Sequence, residues 1–157
     1  MPSASCIKIF GRDDSVSVNG IITNRLKRLA EEVAYLKQER DATPNLRAYQ
    51  RNQRLKKAVE RSLQVAIEVC FDISQRIISI EGLPPASTYR ETFETLHQAG
   101  VLSSELTFRL KQMVGFRNLI VHDYTRIDDE RVYGILKRRL GDFEAFAEEI
   151  ERYLSGE

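Results

Sequence analysis

Cysteine and histidine are scarce in this sequence, with two of each in 157 residues. Cys6 and Cys70 lie far apart and lack metal-site spacing. That argues against a disulfide framework and leaves a reducing cytoplasm as the expected setting. His97 and His122 form no His-Glu-x-x-His pattern, so no protein-bound catalytic metal is expected from them. The acidic residues are mostly spaced as helix surface, though a carboxylate metal site stays open. There is no glycine-rich phosphate loop, and no cofactor is called for. No apolar run approaches the ~20 residues of a membrane span. The N-terminus lacks a basic stretch followed by an apolar one, so neither a membrane nor a secretory signal is expected. An excess of charge of one sign is missing too: 24 Lys and Arg face 23 Asp and Glu, a formal net charge of +1. A dedicated duplex-DNA binder would carry a strong basic excess. RNA binding on a local basic surface is still open.

What is present is helical periodicity. The length suits one domain, and 42% hydrophobic with 30% charged residues reads as a globular chain. Residues 1–18 read as a polar, turn-prone arm with a short extended piece at Ile7–Phe10, and residues 19–157 as the helical domain. Asn19 is an expected N-cap for a stripe of Ile22, Leu26, Leu29, Val33 and Leu36. After a break at Asp41–Pro44 comes a long central helix with Leu55, Val59, Leu63, Ala66, Cys70, Ile73, Ile77 and Ile80 on one stripe. Val65, Ile67, Val69, Phe71 and Ile78 fall off that stripe, which calls for several covering neighbours or a partner chain. Gly82, Pro84 and Pro85 end it. Thr88 and Glu91 have capping-box spacing for a third helix ending near His97 and Gly100. Ser103 or Ser104 caps a fourth, which runs toward His122. A final helix starts at Asp128 or Asp129, with Ile127 and Val132 placed as a hydrophobic staple. The expected fold is all-α, an antiparallel bundle of about five helices. Basic clusters at Arg25–Arg28, Arg51–Arg61 and Lys137–Arg139 read as solvated helix faces, least firmly at Arg51–Arg61, where Glu60 alone opposes five cations.

One segment has the residue types for chemistry: Arg117-Asn118-Leu119-Ile120-Val121-His122-Asp123-Tyr124. Cleavage of RNA by its own 2′-hydroxyl needs a base for that proton and an acid for the leaving oxygen. Histidine, with an ordinary pKa of ~6.5, can serve as either. The transition state gains negative charge on its free oxygens, which the permanent, forked donors of arginine match. Asn118 can orient a phosphate or ribose hydroxyl without charge. No metal is needed. On an ideal helix, residues five apart point away from each other, whereas Arg117 and Tyr124, seven apart, share a face. Arg117 and His122 can therefore cooperate only if the helix ends or distorts near Val121, or if two chains share the work. Taken alone, His122 also fits a structural helix end, and His97 reads as a helix-end or surface histidine.

The Arg-x4-His pattern with a polar residue after the Arg resembles the HEPN superfamily signature. The His-x-Tyr ending, with the flanking GFRNLIVHDY and AIEVCFDISQRII, resembles its HepT branch over Asn19 to about Leu154. The resemblance implies a homodimeric ribonuclease toxin whose Arg117 and His122 pairs meet in an interface cleft, with Asn118 beside the substrate. It also implies a partner, a small MntA-like nucleotidyltransferase antitoxin that transfers AMP to Tyr124. Phosphates placed there would obstruct RNA by bulk and by like charge. Two other readings stay open. One is a non-catalytic helical dimer acting as binding subunit or substrate of such a nucleotidyltransferase. The other is a helical scaffold in which these residues form a helix-end network.

Overall fold

The computed structural model describes residues 12–156, with side chains from residue 19 onward apart from that of Tyr124. Seven α-helices and one 3-10 turn make up the described residues, with no strand among them. They are α1 (Arg12–Ala42), α2 (Leu46–Arg51), α3 (Gln53–Glu81), α4 (Tyr89–Gln98), α5 (Ser104–His122), α6 (Asp129–Arg138) and α7 (Leu140–Leu154); the turn spans Tyr124–Arg126. The Cys6 and Ile7–Phe10 readings fall outside the described residues.

The all-α expectation holds, and the two additional helices have local causes. Asn45 caps α2 by accepting from Ala48 N at 2.9 Å, and Asn52 both ends α2 and caps α3 by accepting from Leu55 N at 3.1 Å. A six-residue helix between two asparagines is too short to draw an apolar stripe, so periodicity missed it. The expected single final helix breaks at Arg139, where the backbone leaves helical geometry (φ −121°, ψ 4°). There Arg139 turns toward the buried Asp142 carboxylate, 3.4 Å away, and donates to Gln112 Oε1 at 2.8 Å. Asn19 is not an N-cap. It lies inside α1, so residues 12–18 of the expected turn-prone arm are helical, and no proline within Arg12–Ala42 interrupts that helix.

The chain's own elements cover α3, which packs against α1, α4, α5, α6 and α7. Both of its stripes are used: Leu63, Cys70 and Ile73 are buried, and so are Ile67, Val69 and Ile78. Val65 and Phe71 stay half-buried against the core. Intrachain neighbours thus account for most of the apolar surplus that the sequence left open to a partner. Burial pushes the Cys70 thiol up, so it behaves as a small inert core residue.

Helix ends follow the sequence closely elsewhere. Gly82, at φ 63°, closes α3 in the left-handed conformation that favours glycine. Thr88 accepts from Glu91 N at 3.1 Å, while the Glu91 carboxylate reaches back to Ser87 N, one residue beyond the expected box partner. Ser103 caps α5, and Asp128 caps α6. Ile127 and Val132 both join the core. No described helix is long and apolar enough to cross a membrane.

Candidate active site

Arg117 is anchored at the crossing of α3, α4 and α5. Its Nη2 donates to Glu68 Oε2 at 2.9 Å, its Nε to the same oxygen at 3.3 Å, and its Nη1 to Asn118 Oδ1 at 3.3 Å. The guanidinium also lies 4.5 Å from the centre of the Tyr89 ring, which stacks on Phe71 at 3.8 Å with the planes 5° apart. A charge-assisted hydrogen bond of this type is worth ~1.5–3 kcal/mol, and a cation–π contact adds ~0.5–2 kcal/mol. The side chain is only 16% exposed, so these contacts are partly shielded from water and fix one rotamer. Gln64 donates to Glu68 Oε2 as well, at 3.3 Å, steadying the carboxylate. Burial raises the Tyr89 phenol, Arg117 lowers it and Glu68 raises it, so the ring stays a neutral face for the cation.

His122 is placed very differently. It is exposed, in the last turn of α5, and Asp123 ends the helix by donating its N–H to Leu119 O at 3.0 Å. Asp123 leaves helical geometry (φ −148°, ψ 60°), and Thr125 Oγ1 donates to its carboxylate at 2.9 Å. The helix remains continuous through His122. Five residues along it amount to about 140° of rotation, and no hydrogen bond joins Arg117 to His122 among the described residues. Asn118 lies between them. It contacts Arg117 directly and sits one turn before His122 on roughly the same face.

Tyr124 requires a correction. The shared face with Arg117 presupposed a helix through both residues, but α5 stops at His122 and Tyr124 opens the 3-10 turn. Heptad spacing therefore says nothing about where Tyr124 stands relative to Arg117. His97 matches its structural reading: its Nδ1 lies 2.9 Å from Leu102 O at the turn after α4. Glu68, Tyr89 and Phe71 were not singled out as site residues. Glu68 sits among residues of a core stripe, and only the crossing of three helices shows what it faces.

The basic clusters divide. Arg25 pairs with Asp72, Arg28 with Glu32, and Arg139 with Asp142. Lys56 pairs with Asp129 at 2.9 Å. Arg51, Arg54 and Arg61 are exposed and make no ion pair among the described residues.

Comparisons with known proteins give this geometry a family. The sequence model for HepT-like ribonucleases matches residues 22–150. The mRNA nuclease HepT of Shewanella oneidensis is 34% identical over 97 residues, covering 62% of this chain and 73% of that protein. The tRNA nuclease HepT of Aphanizomenon flos-aquae is 30% identical over 95 residues, 60% of this chain and 65% of that one. Among solved structures, a tri-AMPylated HEPN toxin of Shewanella oneidensis in complex with its MNT antitoxin superposes with a TM-score of 0.77. It shares 28% identity and covers 83% of this chain and 96% of its own. The Arg-x4-His helix thus stands in a bundle shared with HEPN toxins, and the chain belongs to the HepT-like ribonuclease family.

Proposed function

We propose that this chain is a metal-independent endoribonuclease toxin that cuts RNA in a cleft between two copies of itself. The observation that carries this is the contrast on α5: a held Arg117 and an exposed His122 with no bond among the described residues, about 140° apart around one continuous helix. In this reading Arg117 of one copy works with His122 of the other. Phe108 at 64% exposure and Val121 at 37% are the large exposed apolar side chains of the described residues, and both lie on α5. They supply apolar surface for such a contact.

In this reading His122 takes the proton of a 2′-hydroxyl as that oxygen attacks the adjacent phosphorus. The bond to the 5′-oxygen breaks, and that oxygen takes a proton from solvent. The products are a 2′,3′-cyclic phosphate and a 5′-hydroxyl. Those N–H groups of Arg117 not bound to Glu68 or Asn118 face the developing charge on the non-bridging oxygens. Asn118 orients the phosphate or ribose from the same turn. The partner is a nucleotidyltransferase antitoxin, which neutralises the toxin by AMP transfer to Tyr124. Tyr124 follows His122 by two residues in the sequence, so phosphates added there would crowd the base by bulk and like charge. The helical bundle that starts with α1 is the working domain, and the chain acts in the cytoplasm.

Purified protein in EDTA is expected to cleave single-stranded RNA to cyclic phosphate ends and to leave DNA intact. His122→Ala and Arg117→Ala should each lower the rate ~10²–10⁴-fold. Full activity of His122→Ala, or strict dependence on added metal, would overturn the mechanism. RNA binding without cleavage by the wild type would favour the non-catalytic reading.

A further inference from the structure

A second pair of guanidinium groups converges on α5 outside the motif. A Cβ built on Gly115 would stand 3.2 Å from Arg90 Nη2 and 3.8 Å from Arg131 Nη2. Arg90 comes from α4 and Arg131 from α6, so two elements far apart in sequence direct their charges to one point. Both residues are exposed, and neither makes an ion pair or hydrogen bond among the described residues. Most of the neighbouring carboxylates are engaged elsewhere, and that of Glu130 bonds neither arginine. Glu94, one turn along from Arg90, holds Lys111 at 3.1 Å. Glu91 accepts from Ser87, Asp128 caps α6, and Asp129 holds Lys56.

Two cations brought together without a protein counter-ion repel each other, and an anion between them reverses the sign of that interaction. Guanidinium forks suit phosphate oxygens in particular, through paired N–H donors. Without a Cβ at 115, the Arg90 guanidinium can lie close over the helix backbone. Gly115 also precedes His122 by seven residues, which puts both on one face of α5 about 10 Å apart along its axis. At ~3.4 Å of rise per stacked nucleotide, that is a separation of about three nucleotides.

We propose that Arg90 and Arg131 form a phosphate clamp over Gly115 that grips the RNA backbone about three nucleotides from the phosphate attacked at His122. This rests on the ribonuclease reading above, and the test separates the two.

The test measures fluorescence anisotropy of a labelled 2′-O-methyl RNA, which cannot be cleaved, across a salt series. Wild type, Arg90→Ala, Arg131→Ala and the double variant are compared, with melting and sedimentation recorded for each. Each single variant is expected to bind roughly tenfold more weakly at low salt. Its log-affinity against log-salt slope should be shallower by ~1, with melting and sedimentation unchanged. Wild-type RNA binding that neither substitution alters overturns the clamp and leaves the ribonuclease reading standing. Failure of the wild type to bind RNA at all overturns both. The same four proteins are titrated with ATP and with a nucleotidyltransferase partner. Loss confined to either of those, or loss of RNA binding that tracks dissociation of the dimer, also overturns the clamp.

Discussion

The two histidines sit at matching places and lead different lives. His97 is in the last turn of α4 and His122 in the last turn of α5, so each is a basic residue near a helix C-terminus, where the helix dipole favours positive charge. His97 is half-buried and its Nδ1 meets the carbonyl of Leu102 at 2.9 Å. A carbonyl can only accept, so Nδ1 carries the proton and donates it. The tight turn at Gly100, with φ 82°, brings that carbonyl round. His122 is exposed, and its imidazole has no bond among the described residues. A residue already engaged by its own chain serves the fold, while one left free at a helix end is available to a ligand.

The largest expected effect sets these two against each other. His122→Ala should remove RNA cleavage by ~10²–10⁴-fold and barely move the melting temperature. His97→Ala should do the reverse, losing about 1 kcal/mol of stability for one hydrogen bond while cleavage stays within about twofold. Parallel cleavage assays and thermal melts check both, and a His97→Ala variant that melts normally but does not cut would erase the distinction. A smaller effect is expected at the clamp on Arg117. Glu68→Ala should lower kcat about tenfold with little change in KM, and Glu68→Gln, which keeps an acceptor, should recover most of it. Equal losses in both variants would mean that the charge of Glu68, not its hold on Arg117, is what counts. The last effect is regulatory. Tyr124→Phe should cut RNA at close to the wild-type rate yet take up no AMP from a nucleotidyltransferase and ATP-Mg, read by peptide mass spectrometry. AMP on Tyr133 or Tyr153 instead would move the modification elsewhere.

The fold was legible where periodicity is long. Ile22, Leu29, Val33 and Leu36 on α1, and Val59 through Ile77 on α3, are buried as their spacing implied. It was illegible where structure is short or depends on distant contacts. Tyr49 gave no signal in a six-residue helix, yet it is fully buried and its ring lies 5.7 Å from that of Tyr133. The break at Arg139 has no proline or glycine at that position; it goes with a side chain turning onto Asp142. At the candidate site, Arg117, Asn118 and His122 could be proposed from the sequence because the motif lies within one stretch of chain. Glu68, Tyr89 and Phe71 could not, since each joins Arg117 only through the crossing of α3, α4 and α5. Arg90 and Arg131 were invisible for the same reason.

The central claim is that Arg117 of one copy works with His122 of the other. Arg117→Ala and His122→Ala, each expected to cleave poorly alone, can be co-expressed with different tags and the mixed dimer isolated. In that dimer one catalytic unit has lost both groups, while the other takes its arginine from one chain and its histidine from the second. The account predicts that RNA cleavage in EDTA returns in the mixed dimer, to no more than about half the wild-type rate per dimer. A mixed dimer as inactive as its parents, beside an active wild-type dimer prepared in the same way, would contradict it.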